Sequence, residues 1–504
     1  MKPTRARAYT LACVATLALL GACTVGPKYE RPSVATPPAY KEAGEWKIAQ
    51  PRDEVNRGKW WEIFGDAQLN ALIEQVDISN QNVIAAEARF RQARALVQQA
   101  RAGLFPTVTG AASATRSGSG TGSTSSTTNR RGGGGTANDY NLSLDATWEA
   151  DVWGRVRKTV ESNVAGAQAS AADLETARLS AQAELALDYF QLRVLDVQQQ
   201  LLDDSVAAFQ KSLDVTRNRY NAGVAGKVDV AQGETQLKGT QAQAIDVGVQ
   251  RAQLEHAIAI LIGKPPAEFA LARTALNVAI PSVPLGLPSE LLERRPDIAA
   301  AERRVAAANA QIGVAQAAFF PALTLSASGG FQSSVLPQLL TLPSRFWAIG
   351  PALAQTIFDA GLRRALTDQA IAVFDANVAA YRQAVLGGFQ EVEDNLAALR
   401  ILEQEANVQE DAVQAARQSV ELTLNQYKAG TVSYLNVVIV QTAQLANERT
   451  AVGIRGQRLA AAVTLVKALG GGWTDSELPS PRGLSIRDEK AQRNIEIRVT
   501  PPGR

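Results

Sequence analysis

The chain has 504 residues and a formal net charge of +2, with charged residues of both signs making up 20% of the sequence. Nucleic acid, which would demand a basic stripe, is excluded as a partner. With two cysteines and one histidine there is no metal-ligand spacing, and no stretch of about 18 apolar residues follows the N-terminal segment, so any membrane crossing must use β-strands.

Lys2, Arg5 and Arg7 precede an apolar run over 11–20 that is too short to span a bilayer, the pattern of an export signal. The run ends in Leu20-Gly21-Ala22-Cys23, which resembles a bacterial lipoprotein processing site. Residues 1–22 are then a signal peptide and Cys23 is the lipidated N-terminus. By the same resemblance, Thr24 in place of Asp directs the product to the outer membrane. The plainer alternative is a secretory peptide cut near Ala22 that leaves Cys23 a free thiol. Cys13 lies in the removed segment, so the mature chain forms no internal disulfide and relies on packing.

Two repeats follow, 66–263 and 289–471, separated by a linker over 264–288. Arg219-Tyr220-Asn221-Ala222-Gly223 aligns with Gln426-Tyr427-Lys428-Ala429-Gly430, and Leu104-Phe105-Pro106 with Phe319-Phe320-Pro321. Each repeat opens with a helix, about 66–103 or 289–318, that stops at Phe-Pro. Period-two segments come next, about 105–115 and 139–150 in the first repeat, 320–331 and 346–358 in the second. In one, Leu142, Leu144, Ala146 and Trp148 alternate with Asn141, Ser143, Asp145 and Thr147. Such segments are strands with one apolar face, each near the ten residues that a tilted membrane strand needs. Pro351 weakens the last, since proline removes a ladder donor. A Gly/Ser/Thr-rich loop over 117–135 cannot bury a core and is expected to be wet and mobile.

Each strand pair leads into a long helical pattern, about 154–220 and 361–427. The stripe Val156, Val160, Val164, Ala167, Ala171, Leu174 steps by threes and fours. Such a rod is on the order of 100 Å long, more than any compact domain needs. Return helices over about 228–262 and 434–469 make each half a hairpin with Gly223 or Gly430 at its tip. Four strands cannot close a barrel, and open edges are not tolerated in hydrocarbon, so several copies must share one barrel of 8, 12 or 16 strands.

At this point the residues resemble a known family, the outer-membrane factors of tripartite pumps, TolC-like and nearest the NodT-type lipoprotein branch. The resemblance is carried by Trp60-Trp61-Glu62-Ile63-Phe64-Gly65-Asp66, by Trp148-Glu149-Ala150-Asp151-Val152-Trp153-Gly154-Arg155, by Leu291-Leu292-Glu293-Arg294-Arg295-Pro296-Asp297-Ile298 and by Ala429-Gly430-Thr431-Val432-Ser433-Tyr434-Leu435. It implies a mainly α protein with transmembrane β: a homotrimer whose 12-stranded β-barrel continues into a periplasmic α-helical barrel. An equatorial collar would use 23–65, 264–288 and 472–504. It also implies partners, a periplasmic adaptor docking at the hairpin tips (about 219–230 and 426–437, around Gly223 and Gly430) and an inner-membrane pump of RND type, with Cys23 in outer-membrane lipid.

The family's latch positions fall on Asp229 and Tyr427. A basic partner found in some members would fall on Val432, so that ion pair is absent. Where many members carry an acidic ring this chain has Asn436 and Ile439, and Leu435 with Ile439 can form a constriction that closes by dewetting. No nucleophile, base and oxyanion set assembles, so no enzyme activity, cofactor or metal is expected. His256 is read as a packed or surface helix residue, and Glu391, Glu393 and Asp394 as a solvated face. The function implied is a passive exit duct for small molecules. The alternatives are the outer-membrane component of a type I protein secretion system and a non-conducting structural lipoprotein of the envelope.

Overall fold

The computed structural model describes residues 24–43, 59–118, 136–281, 283 and 288–484. The signal peptide, Cys23, the glycine-rich loop from 119 to 135 and the tail beyond 484 lie outside the described residues.

The first repeat runs α1 (Ala67–Ser79), α2 (Gln81–Ala102), β1 (Thr107–Gly118), β2 (Thr136–Ala150), α3 (Arg155–Asn221) and α4 (Lys227–Leu261). The second runs through a helical turn, Leu291–Arg294, to α5 (Pro296–Ala317), β3 (Ala322–Ser333), β4 (Arg345–Ala354), α6 (Leu362–Ala429) and α7 (Tyr434–Ala468). The rods α3 and α6 have 67 and 68 residues, each about 100 Å at 1.5 Å per residue. Their starts are built alike. Asp151 accepts hydrogen bonds from the amides of Val156 and Arg157, both at 2.9 Å. Asp359 does the same for Gly361 and Arg363 at 3.1 and 3.3 Å, so each carboxylate satisfies orphan donors at a helix N-terminus. Towards the sheet, α2 and α5 pack on the rods; away from it, α4 and α7 do.

Between these two levels each repeat breaks a helix that the sequence reads as continuous. In the second repeat Pro296 forces Arg295 into an extended conformation. In the first, Asn80 is extended and its side chain caps the amides of Asn82 and Val83. What decides the break is tertiary. Asn80 Nδ2 donates to Leu261 O at 2.8 Å, and Arg295 Nη1 to Ala468 O at 3.1 Å, so both buried side chains close the C-terminus of the same repeat's return helix. The glycine after each return helix seals the joint. A Cβ on Gly263 would lie 2.3 Å from Ser79 O, and one on Gly470 2.0 Å from Arg294 O.

This joint sits in the largest core of the molecule. Trp60, Trp61 and Phe64, ahead of the Asp66 cap of α1, pack on Tyr189 and Phe190 of α3, with Phe64 and Phe190 ring centroids 5.0 Å apart. The linker is held there by charge. Arg193 is 2% exposed and bonds Asp196 at 2.8 Å and Ala272 O at 2.8 Å. Arg251 bonds Asp196 at 2.8 Å and Leu271 O at 2.5 Å. Buried guanidinium groups are tolerated when paired and hydrogen-bonded, as both Nη groups of Arg193 are here through Asp196, Ala272 O and Gln68.

Two readings of the sequence need correction. Residues 24–43 are not wholly equatorial. Val25 N donates to Trp153 O at 3.1 Å at the foot of β2, and the segment then descends along α5 until Lys41 and Glu42 donate their amides to Glu393 at 2.7 and 2.9 Å. Glu391 and Glu393 are accordingly not a plain solvated face. Glu391 pairs with Arg295 at 2.7 Å, and Glu393 holds this strap. His256 is exposed on α4.

The sheet is antiparallel in the order β1-β2-β3-β4. The last strand ends at Ala354 rather than near 358, because the chain must turn into the Asp359 cap of α6. Pro351 lies within β4, the edge strand of the chain, where a missing donor is tolerated.

Gly470→Ala should destabilise the fold by well over 1 kcal/mol, since it adds left-handed strain at φ 95 to a clash with Arg294 O. Gly453→Ala in α7, with open space around it, should be neutral or slightly stabilising. Thermal melts followed by circular dichroism will compare them.

Candidate functional site

Residues directly opposite in an antiparallel sheet share a face. Starting from Leu144, the row is Gly110, Leu144, Gly329 and Trp347; the next towards the helices is Val108, Ala146, Ala327 and Ile349, followed by Trp148, Leu325 and Pro351. From the Leu144 row to the helices this face is apolar. Its large side chains, including Leu144, Trp347, Ile349 and Leu353, are exposed in the single chain. The other face carries Thr109, Asp145 and Ser328, then Asn141 and Gln332. Its groups bond one another, as when Gln332 Nε2 donates to Asp139 at 3.0 Å.

At the helix end of the sheet aromatic rings gather. Trp148 donates to Leu104 O at 3.1 Å, Trp153 donates to Pro321 O at 2.8 Å, and Trp153 stacks on Phe320 at 4.8 Å. An apolar band with an aromatic girdle on one face and a polar opposite face is the arrangement of a barrel wall with lipid outside and water inside.

The far ends of the hairpins form the second part of the site. Gly223 and Gly430 take φ 73 and 80 there, turning the chain after α3 and α6. Tyr427 is 3% exposed and Tyr434 1%, with ring centroids 5.3 Å apart across the turn. Tyr434 lies over Gly233 of α4, where a Cβ would come within 3.0 Å of its hydroxyl. Burial pushes the Tyr434 phenol up, opposed by the Ser212 hydroxyl and reinforced by Tyr427, so it stays neutral.

Arg219 of α3 ties the two hairpins together. Its Nη1 donates to Tyr427 O at 2.7 Å and Lys428 O at 3.1 Å, and its guanidinium lies 4.7 Å from the centre of the Tyr427 ring. A cation on the last carbonyls of α6 is favoured both by the helix dipole and by charge-assisted bonding.

The latch residues read from the sequence, Asp229 and Tyr427, do not bond each other in this chain. Tyr427 donates its hydroxyl to Thr216 Oγ1 at 3.2 Å, while Asp229 caps α4 by accepting from Gly226 N at 3.1 Å. Leu435 (47% exposed) and Ile439 (57%) lie one turn apart on α7, with Asn436 beside them, facing away from the buried Tyr434 and Val437. Among the described residues, no three His, Cys, Asp or Glu side chains converge on a metal position.

Thr216, Arg219 and Tyr434 were not singled out from the sequence as functional. The one signal for Arg219 lies in the repeat itself, where Gln426 occupies the equivalent place and cannot make a charged clamp.

The family described as Outer membrane efflux protein matches residues 72–264 and 287–471. The chain belongs to the outer membrane efflux protein family. Among curated relatives, the toluene efflux pump outer membrane protein TtgC of Pseudomonas putida is 30% identical over 95% of this chain and 99% of its own length. The pyoverdine export outer membrane protein OpmQ of Pseudomonas aeruginosa is 31% identical over 95% and 99%. Among solved structures, the outer-membrane channel OprN superposes with a TM-score of 0.83 at 32% identity, covering 90% of this chain and 100% of that one. The MtrE outer membrane channel of Neisseria gonorrhoeae, in its open state, gives 0.79 at 30% identity, covering 90% and 99%. The chain is accordingly an outer-membrane efflux channel.

Arg219→Ala removes charged hydrogen bonds worth about 1.5–3 kcal/mol each. Amides in the last turn of α6 and the turn at Gly430 should then exchange with deuterium at least about tenfold faster, whereas Tyr220→Phe, at an exposed ring, should leave them unchanged.

Proposed function

We propose that this efflux channel works as the passive exit duct of a tripartite pump, carrying small molecules from periplasm to exterior once an adaptor loosens the hairpin tips. The observation that carries the reading is a sheet with one apolar face and two unpaired edges, β1 and β4, joined directly to rods about 100 Å long. Unpaired backbone groups in hydrocarbon cost several kcal/mol each, so neighbouring chains complete the barrel. Three chains of four strands give the homotrimeric 12-stranded barrel that the sequence resemblance implies, with the rods forming the tunnel below it. Transport energy then comes from an inner-membrane pump of RND type. The cargoes for which TtgC and OpmQ are named, toluene and pyoverdine, are small molecules, which favours this over protein secretion.

Cys23 is the lipid anchor in this proposal. Support comes from its neighbour in sequence. Thr24 packs on Gly154 at the foot of the sheet, where a Cβ on Gly154 would sit 2.5 Å from Thr24 Cγ2. A lipid attached one residue earlier therefore starts beside the membrane surface, and multiple acylation makes the tether stable.

The gate in this proposal is the tip ring, with Leu435 and Ile439 of each chain closing the aperture by dewetting and Asn436 beside them. Asp229 and Tyr427 hold the ring closed indirectly, through the α4 cap and the bond to Thr216. Leu435→Ser combined with Ile439→Ser, and separately Tyr427→Phe combined with Asp229→Ala, should raise the basal single-channel conductance in planar bilayers. A channel that stays shut in both would remove the gate from the tips. Cys23→Ser should abolish metabolic labelling with palmitate while leaving the purified protein's β signal intact.

A further inference from the structure

The hairpin of β3 and β4, residues 322–354, holds one ionisable side chain, Arg345, and no Asp or Glu occurs between Glu302 and Asp359. Arg345 stands opposite Phe331, itself opposite Leu142, which places it on the apolar face of the sheet. It lies at the end of the sheet distant from the rods, since the other end of β4 leads into α6. It is exposed, and among the described residues it has no ion-pair partner. A guanidinium on a lipid-facing surface needs a counter-charge, and its own hairpin supplies none.

The turn preceding it is unusual for a loop expected in water. Its polar groups bond within the turn, where Thr341 Oγ1 and Ser344 Oγ both donate to Gln338 O, at 2.7 and 2.8 Å. Its aliphatic groups point out, with Leu340 69% and Leu342 80% exposed. Beside Arg345, small residues at Gly110, Ala112 and Gly329 leave a hollow flanked by Leu144 and Trp347. On β1, at the opposite edge, Arg116 occupies the same face opposite Asn138 and lies further out still.

From this placement we infer that the β3–β4 turn and Arg345 form a binding site for a phosphorylated lipid of the outward-facing leaflet. Its phosphate sits on the Arg345 fork, and its acyl chains lie on Leu340, Leu342 and Trp347. Phosphate is the chemistry chosen because the planar guanidinium donates to two of its oxygens at once. The exposed leucines and Trp347 supply the apolar contact of an interfacial anchor. The inference rests on the reading of the apolar face as lipid-facing.

The test uses the full chain in nanodiscs of phosphatidylcholine doped with diphosphoryl lipid A or its dephosphorylated counterpart, with co-isolated lipid counted by native mass spectrometry. The wild-type protein should retain the phosphorylated form preferentially. Arg345→Ala should cut that retention about fivefold, Arg345→Lys less, and both should keep the wild-type heat-modifiable barrel band on gels. Equal retention of the two lipids, or unchanged retention by Arg345→Ala, overturns the site. If Leu340→Ser with Leu342→Ser raises conductance and leaves retention unchanged, the turn caps the barrel mouth instead, which also overturns it. A wild-type chain with no heat-modifiable band in nanodiscs would sink the lipid-facing reading itself, a failure distinct from a barrel that forms without lipid preference.

Discussion

The architecture depends on one backbone joint made twice. In each repeat the last carbonyls of the return helix are closed by a buried side chain, Asn80 or Arg295, at the point where another helix breaks. The glycine beyond brings two main chains closer than any side chain would permit. The rods α3 and α6 run unbroken past this level, so the joint is where the short helices change partner, from α2 and α5 on the sheet side to α4 and α7 on the far side. Because Arg193 is paired with Asp196, and Arg295 with Asp297 and Glu391, the collar can bury both guanidinium groups without leaving an uncompensated charge. A break at this level would uncouple the sheet from the tips.

The sheet, by contrast, is incomplete in one chain. Every side chain on its apolar face is exposed or half-buried, and both edges present free backbone groups, so its stability belongs to the assembly and to lipid rather than to the protomer. The aromatic rings at its foot do satisfy their polar atoms within the chain. Both indole groups, Trp148 and Trp153, donate to carbonyls. The helix end of the sheet is therefore set before assembly, and the outer end depends on what surrounds it.

How much of this was legible from the sequence varies with the range of the interaction. Strand alternation, rod lengths and the turns at Gly223 and Gly430 are local properties, and the structure places them within a few residues of where the periodicity does. Both helix breaks were missed: Pro296 could have signalled the one at Arg295, but Ser79-Asn80-Gln81 is compatible with a helix, and there the deciding bond comes from Leu261. The course of the strap over 24–43 was also hidden. It is fixed by Gly26 meeting Gly313 and by the amides at Glu393, contacts that no periodicity encodes. At the tips the turns were visible and their ties were not, since Arg219 and Tyr427 belong to different hairpins.

That difference between hairpins carries the last step. The repeats are alike in backbone, but Tyr220 is exposed where Tyr427 is buried, and Lys227 stands where the second repeat has Tyr434. The first hairpin therefore donates a cation, and the second supplies the aromatic pair and the carbonyls that receive it. Had the repeats stayed identical, two arginines would repel each other or two glutamines would leave the carbonyls to water. Divergence at a few tip positions lets one hairpin hold its neighbour with bonds of a few kcal/mol. A tie of that size keeps a resting tip ordered, and a docking partner can exceed it with a modest interface.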